Sequence, residues 1–178
     1  MTKFGIGYDV HRLVEGRKLF LGGVEFEHNK GLEGHSDADV LSHAIADALL
    51  GSIADGDIGT HFPPSDEKYR GISSLHILEH VAKRLASHHA TIVNVDSTVV
   101  AEEPKIGPKV EKMRVALAKA LHMNPAKISI KATTNEGMGF PGRGEGIAAL
   151  AVASVIQADI PETLRGQSAP GSGRPLII

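Results

Sequence analysis

Apolar and polar residues alternate with period two in KFGIGYDVH near the N-terminus and again in KLFLGGVEF, with a polar, glycine-containing segment between them. Residues at that period share a strand face, so the two runs predict a hairpin or paired strands. The period then changes. From Ala38 to Ile53, Val40, Leu41, Ala44, Ile45, Ala48 and Leu49 recur at helical spacing, with Ser36 or Asp37 available as N-cap and Gly51 near the end. A second helix is predicted from Ile72 to His88, burying Leu75, Leu78, Val81, Ala82 and Leu85.

TIVNVDSTVVA is β-branched and alternating, an extended strand. After the loop EEPKIG, Pro108 sits where a first-turn proline is tolerated and opens a third helix running to about His122. ISIKATT reads as a strand, and GIAALAVASVIQAD as a strand buried on both faces, with a helix as the alternative. Two long glycine-rich loops interrupt this pattern, DGDIGTHFPPSDEKYRG at 55–71 and TNEGMGFPGRGEG. The first exceeds what a plain connection needs, which makes it a candidate for function. The order of elements predicts an α/β layer with a mixed sheet. Residues 1–159 form the predicted domain, and the Pro, Gly and Ser content of 160–178 marks a separate tail.

Composition narrows the chemistry. The 178 residues are 42% hydrophobic and 22% charged, with a formal net charge of −2, so no excess of cations is available for a nucleic-acid backbone or an anionic membrane. The longest apolar stretch, IAALAVASVI, is too short to span a bilayer, and the N-terminus lacks a basic segment followed by an apolar run. The expectation is a cytoplasmic protein. There is no cysteine, so any metal must be held by histidine and carboxylates.

Ten histidines are available. Asp9 and His11 lie two apart in a strand and therefore share a face. Asp39, His43 and Asp47 follow one line of the first helix, beside its apolar stripe. A half-buried His43 fits a satisfied core residue as well as a ligand until partners meet it. Asp37 and Asp39 suit an N-cap and first turn, whereas His35 has no such structural excuse. With Ser36 it precedes a helix N-terminus, where an anion is favoured. His28, His76, His80, His88, His89 and His122 are assigned to the surface. In the second loop the glycines allow backbone N–H groups to approach phosphate, Thr133 and Thr134 can donate, and Glu136 can hold a hard cation. A structural glycine loop is the competing explanation.

Taken together, GYDVHRL, GHSDADVLSHAIADALLG, GDIGTHFPPSD, NVDSTVVAEEPKI and KATTNEGMGFPGRGEGIA resemble the 2-C-methyl-D-erythritol 2,4-cyclodiphosphate synthases, in the family's order over about residues 3–158. The resemblance implies an α+β two-layer sandwich with a mixed, mainly four-stranded sheet and helices on one face, assembled as a homotrimer with active sites between subunits. It implies conversion of 4-diphosphocytidyl-2-C-methyl-D-erythritol 2-phosphate to the cyclic diphosphate with release of CMP, in non-mevalonate isoprenoid biosynthesis.

Carried onto this sequence, the resemblance makes Asp9, His11 and His43 the ligands of one Zn²⁺ per subunit, and Glu136, with substrate phosphate, the holder of Mg²⁺ or Mn²⁺. It implies that His35 and Thr134 stabilise the transition state and that Ser36 and Thr133 contact phosphate. Asp57, with Ile58 and Gly59 nearby, would bind the methylerythritol hydroxyls, Phe62 and Asp66 would contact substrate, and Ala101, Pro104, Lys105, Ile106 and Gly107 would bind the nucleotide. Phe140, Arg143 and Glu145 match residues around a trimer axis whose cavity can take an isoprenoid diphosphate. Glu103 and Asn135 depart from the family pattern, at a small or basic position and at a third hydroxyl. Two rivals share the features: a zinc hydrolase of nucleoside diphosphates, and a nucleotide-binding or isoprenoid-sensing trimer whose zinc is structural. A fourth protein ligand on the metal would favour the latter.

Overall fold

The computed structural model describes residues 1–158, and its layout follows from the first strand, β1 (Thr2–Glu15). One face of β1 carries Gly5, Gly7, Asp9 and His11; the other carries Phe4, Ile6, Tyr8 and Val10, all exposed. The glycine face lies directly beneath helix α1 (Val40–Ser52). A Cβ on Gly5 would stand 1.9 Å from the Ala48 carbonyl oxygen, and one on Gly7 1.9 Å from that of Ala44. Only glycine permits this approach, which brings α1 against the strand just before Asp9 and His11.

β1 does not pair with KLFLGGVEF as expected. That segment folds on itself as β2 (Leu19–Leu21) and β3 (Val24–Phe26), joined by Gly22 and Gly23 at φ +57° and +74°, the positive-φ pair that a two-residue hairpin requires. β1 instead pairs antiparallel with β7 (Gly146–Gln157), from Thr2 opposite Ile156 to Arg12 opposite Gly146, and with β4 (Lys30–Leu32). A strand of 14 residues finds enough partners only in another long strand. The sheet has five strands in the order β4-β1-β7-β5-β6, one more than expected, with β5 at Ala90–Val100 and β6 at Ile128–Thr133. β5 and β6 are parallel, so the chain crosses between them through α4 (Val110–Ala120).

α1 is buried along ten of its residues, because it is held between the sheet and α3 (Ser74–Ser87). Its N-cap is Asp39, not Ser36 or Asp37. The Asp39 carboxylate accepts from Ser42 N–H (3.1 Å), the Ser42 hydroxyl (2.8 Å), Gly22 N–H (2.9 Å) and Gly23 N–H (2.6 Å), and so ties the β2–β3 turn to the helix. β7 is a strand, but its expected burial on both faces is not found: Ala149, Ala151, Ala153 and Val155 face the helices while Leu150, Val152 and Ile156 are exposed. The outer sheet face is therefore apolar along β1 and β7 and polar along β5 and β6, where Lys131 pairs with Asp96. Loop 55–71 contains a short helix, α2 (Ile58–His61), and a 3-10 turn at Glu67–Tyr69. The tail at 160–178 lies outside the described residues.

Candidate active site

The close approach of α1 to β1 brings three sequence-predicted ligands together. Asp9 Oδ2 lies 2.9 Å from His11 Nε2 and 3.0 Å from His43 Nδ1, and the two imidazole nitrogens are 3.2 Å apart. Donors about 2.0–2.1 Å from a common tetrahedral ion would be ~3.3 Å from one another, so this triangle fits a divalent metal after a small outward adjustment. No other His, Asp or Glu among the described residues joins the three. Burial alone would raise the Asp9 carboxyl, but hydrogen bonds and charge from His11 and His43 hold it far below the ordinary carboxylate range. Burial likewise disfavours a charged His11, yet Asp9 wins and pushes its pKa up. One carboxylate between two imidazoles is the electrostatic arrangement a divalent cation would relieve.

The outer atoms of both rings are held. His11 Nδ1 lies 2.6 Å from the Glu33 carbonyl, while His43 Nε2 lies 2.9 Å from Ser74 Oγ and 3.2 Å from Ser36 Oγ. Asp37, assigned from sequence to capping α1, instead accepts from the backbone N–H (2.9 Å) and the hydroxyl of Ser74 at the start of α3. Asp47 accepts from Ile58 N–H at 2.9 Å and so anchors loop 55–71 to α1; burial raises its carboxyl. The tertiary partners resolve the roles of Asp37, Asp39 and Asp47, and none of the three joins the metal-binding group.

His35 is exposed beside this centre in sequence, and its carbonyl accepts from Gly71 N–H at 2.8 Å. Asp57 caps α2 through Oδ1, which accepts from Thr60 N–H (2.8 Å) and its hydroxyl (2.9 Å); these bonds lower its pKa. Gly59 is exposed and Ile58 half-buried in the same turn. Phe62 packs edge-on against Tyr69 and His80, with ring centroids 4.9 and 5.0 Å away, and the Asp66 carboxylate is engaged by Lys68. Both side chains thus shape the loop itself. His80 is not the surface residue expected: its Nε2 is buried without a partner, and burial pushes its pKa down. Its position one helical turn from His76, which is exposed and pairs with Glu79, concealed the difference in sequence.

A second set of predicted residues meets elsewhere. Ala101, Pro104, Lys105, Ile106, Gly107, Thr133 and Thr134 line one open cleft of about 330 Å³ at the ends of β5 and β6. Beside it, Glu136 stands at φ +51° and its carboxylate accepts from Thr134 Oγ1 at 2.9 Å. Of the residues that depart from the family pattern, Asn135 holds the loop by donating to the Met138 carbonyl, and Glu103 faces another cleft. That cleft, of about 480 Å³, includes Arg143, which pairs with Glu145 at 2.7 Å; Phe140 is half-buried nearby in sequence.

The structure does not bring the two sets together within one chain. The register runs Val10–Ala148–Val100–Thr133 across four strands, which separates the metal-ligand strand from Thr133 by three inter-strand spacings, about 14 Å.

The fold and site define an α+β protein that carries an Asp-His-His group fit for a divalent metal at one side of its sheet and a loop-lined cleft at the other. Residues 2–156 match the YgbB family model. The chain is 60% identical over 156 residues to 2-C-methyl-D-erythritol 2,4-cyclodiphosphate synthase of Alkaliphilus metalliredigens, covering 88% of this chain and 98% of that protein. It therefore belongs to the YgbB family, that of the 2-C-methyl-D-erythritol 2,4-cyclodiphosphate synthases. Among solved structures it is similar to the bifunctional IspDF of Campylobacter jejuni, with TM-score 0.86 and 36% identity, covering 89% of this chain and 43% of that one. It is also similar to Plasmodium falciparum IspF in a CDP complex, with TM-score 0.77 and 30% identity, covering 89% and 97%.

Proposed function

We propose that this protein converts 4-diphosphocytidyl-2-C-methyl-D-erythritol 2-phosphate to 2-C-methyl-D-erythritol 2,4-cyclodiphosphate and CMP, in the cytoplasm, as a homotrimer. The observation that carries the proposal is the Asp9–His11–His43 triangle: three N/O donors without a fourth protein ligand among the described residues, the pattern of a catalytic rather than a structural zinc site. That same feature argues against a sensing trimer with a closed metal site.

A 2-phosphate oxygen attacks the β-phosphorus, the bond from that phosphorus to the bridging oxygen breaks, and CMP leaves with the electron pair. The attacking phosphate is already ionised, so the chain has to position two anions and stabilise charge rather than supply a strong base. Zinc at Asp9, His11 and His43, with Mg²⁺ or Mn²⁺ at Glu136 and the diphosphate, would supply that charge neutralisation. His35 and Thr134 donate to the transferring phosphoryl group, and Ser36 and Thr133 contact phosphate. Asp57 accepts from methylerythritol hydroxyls beside Ile58, Gly59, Phe62 and Asp66. The cleft of Ala101, Pro104, Lys105, Ile106 and Gly107 takes the cytidine, its backbone reading the base.

The separation of about 14 Å within one chain supports an active site completed by a neighbouring subunit. So does the exposed row of Phe4, Ile6, Tyr8, Leu150 and Val152, since a contiguous apolar patch marks a protein interface. Phe140 and Arg143 would line a central cavity able to hold an isoprenoid diphosphate. Incubating the purified protein with the substrate and Mg²⁺ tests the proposal: cyclic diphosphate and CMP should form, cease on chelation and return when zinc and Mg²⁺ are both restored. A linear product carrying solvent oxygen would instead identify a hydrolase.

A further inference from the structure

We propose that Asp37 and Ser74 are positioning residues for the metal centre, acting as a one-way hydrogen-bond relay that presents His43 Nδ1 to the metal. The proposal rests on the metal-site reading above. His43 meets the other ligands through Nδ1, so its proton must sit on Nε2, and Nε2 lies 2.9 Å from Ser74 Oγ. Ser74 is fully buried, and its hydroxyl donates its single proton to the Asp37 carboxylate. A carboxylate only accepts, so the Ser74 oxygen is left to accept from His43 Nε2–H. Asp37 is itself kept in place because its second oxygen accepts from Ser74 N–H at 2.9 Å.

The two histidines are thus oriented by different devices. His11 Nδ1 faces the Glu33 backbone carbonyl at 2.6 Å, an acceptor that no side-chain substitution can invert. The His43 relay can be inverted. In Asp37→Asn the amide oxygen would keep the shorter bond from Ser74 N–H, at 2.9 Å, and give up the longer one from Asp39 N–H, at 3.2 Å, while its NH₂ donates to Ser74 Oγ. The Ser74 proton then turns toward His43 Nε2, which must accept it, and the ring proton moves to Nδ1, where it opposes metal binding. In Ser74→Ala the relay is only lost, and Ser36 Oγ at 3.2 Å remains as a weaker acceptor.

The test is zinc affinity of the full chain, measured by competition with a chromophoric chelator, together with melting of the metal-free proteins. Asp37→Asn should weaken zinc binding about 10- to 100-fold, the range seen when such outer partners are lost, and Ser74→Ala less. The double variant should bind zinc as tightly as Ser74→Ala alone, because without the hydroxyl the amide has nothing to invert. A purely structural role would make the two losses add and track the melting of the metal-free protein, which would overturn the relay. Wild-type zinc affinity in Asp37→Asn would overturn it too. Wild-type protein that takes up no zinc would instead overturn the metal reading itself.

Discussion

The carboxylate of Asp39 lies directly against the backbone of Gly23, accepting its N–H at 2.6 Å from a fully buried position. Because the same group caps α1, the hairpin turn at Gly22–Gly23 and the helix that carries His43 are joined through one side chain. Asp39→Ala should leave two turn N–H groups without a partner and remove the cap, costing about 3 kcal/mol. Urea unfolding checks this; a loss below about 1 kcal/mol would show that the turn finds other partners.

Gly7→Ala places a methyl group against the Ala44 carbonyl, 1.9 Å away, where no rotamer can relieve the contact. Helix and strand must separate, and they carry opposite corners of the metal triangle. The variant should lose about 3 kcal/mol or more, and the protein that remains folded should bind zinc at least tenfold more weakly. Zinc content after gel filtration, normalised to folded protein by circular dichroism, reads both effects.

His80 gives a pH dependence. Burial holds its folded-state pKa below the 6.5 of the free side chain, so between the two values the unfolded chain binds the proton and the folded one does not. The contribution is therefore complete above pH 6.5 and is lost as pH falls through the folded value. His80→Phe removes the unpaired Nε2 and keeps a ring against Phe62. Its melting temperature should exceed that of the wild type at about pH 5.5 by more than at pH 8. Parallel pH curves for the two proteins would rule this out.

Ile6 and Val152 stand opposite each other on adjacent strands of the outer face, 71% and 47% exposed. Replacing both with Glu should leave the monomer folded, since the helix-facing side is untouched, but dissociate the proposed homotrimer. Light scattering should then report a monomer, and cyclase turnover should fall at least 100-fold because no chain alone brings its Asp9–His11–His43 group to the cleft at the ends of β5 and β6. A monomer with full turnover would show that the site is complete within one chain.

Period and spacing sufficed for much of this protein. The helix over Val40–Ser52, the strands at both ends and the shared face of Asp9 and His11 follow from neighbours within a few residues, where side-chain direction is set by local geometry. Partners across the sheet are a different matter. The pairing of β1 with β7 joins residues more than 130 positions apart, and the outward side of β7 is apolar, so its sequence imitates a strand buried on both faces. The five aspartates and histidines between His35 and Asp47 look alike along the chain. His43 meets Asp9 and His11 because two glycines let α1 settle onto β1; Asp37 found Ser74, Asp39 the Gly22–Gly23 turn and Asp47 the Ile58 amide, while His35 stayed exposed. Charge and hydrogen-bonding capacity are written locally, but which donor or acceptor satisfies them is decided only when distant segments pack.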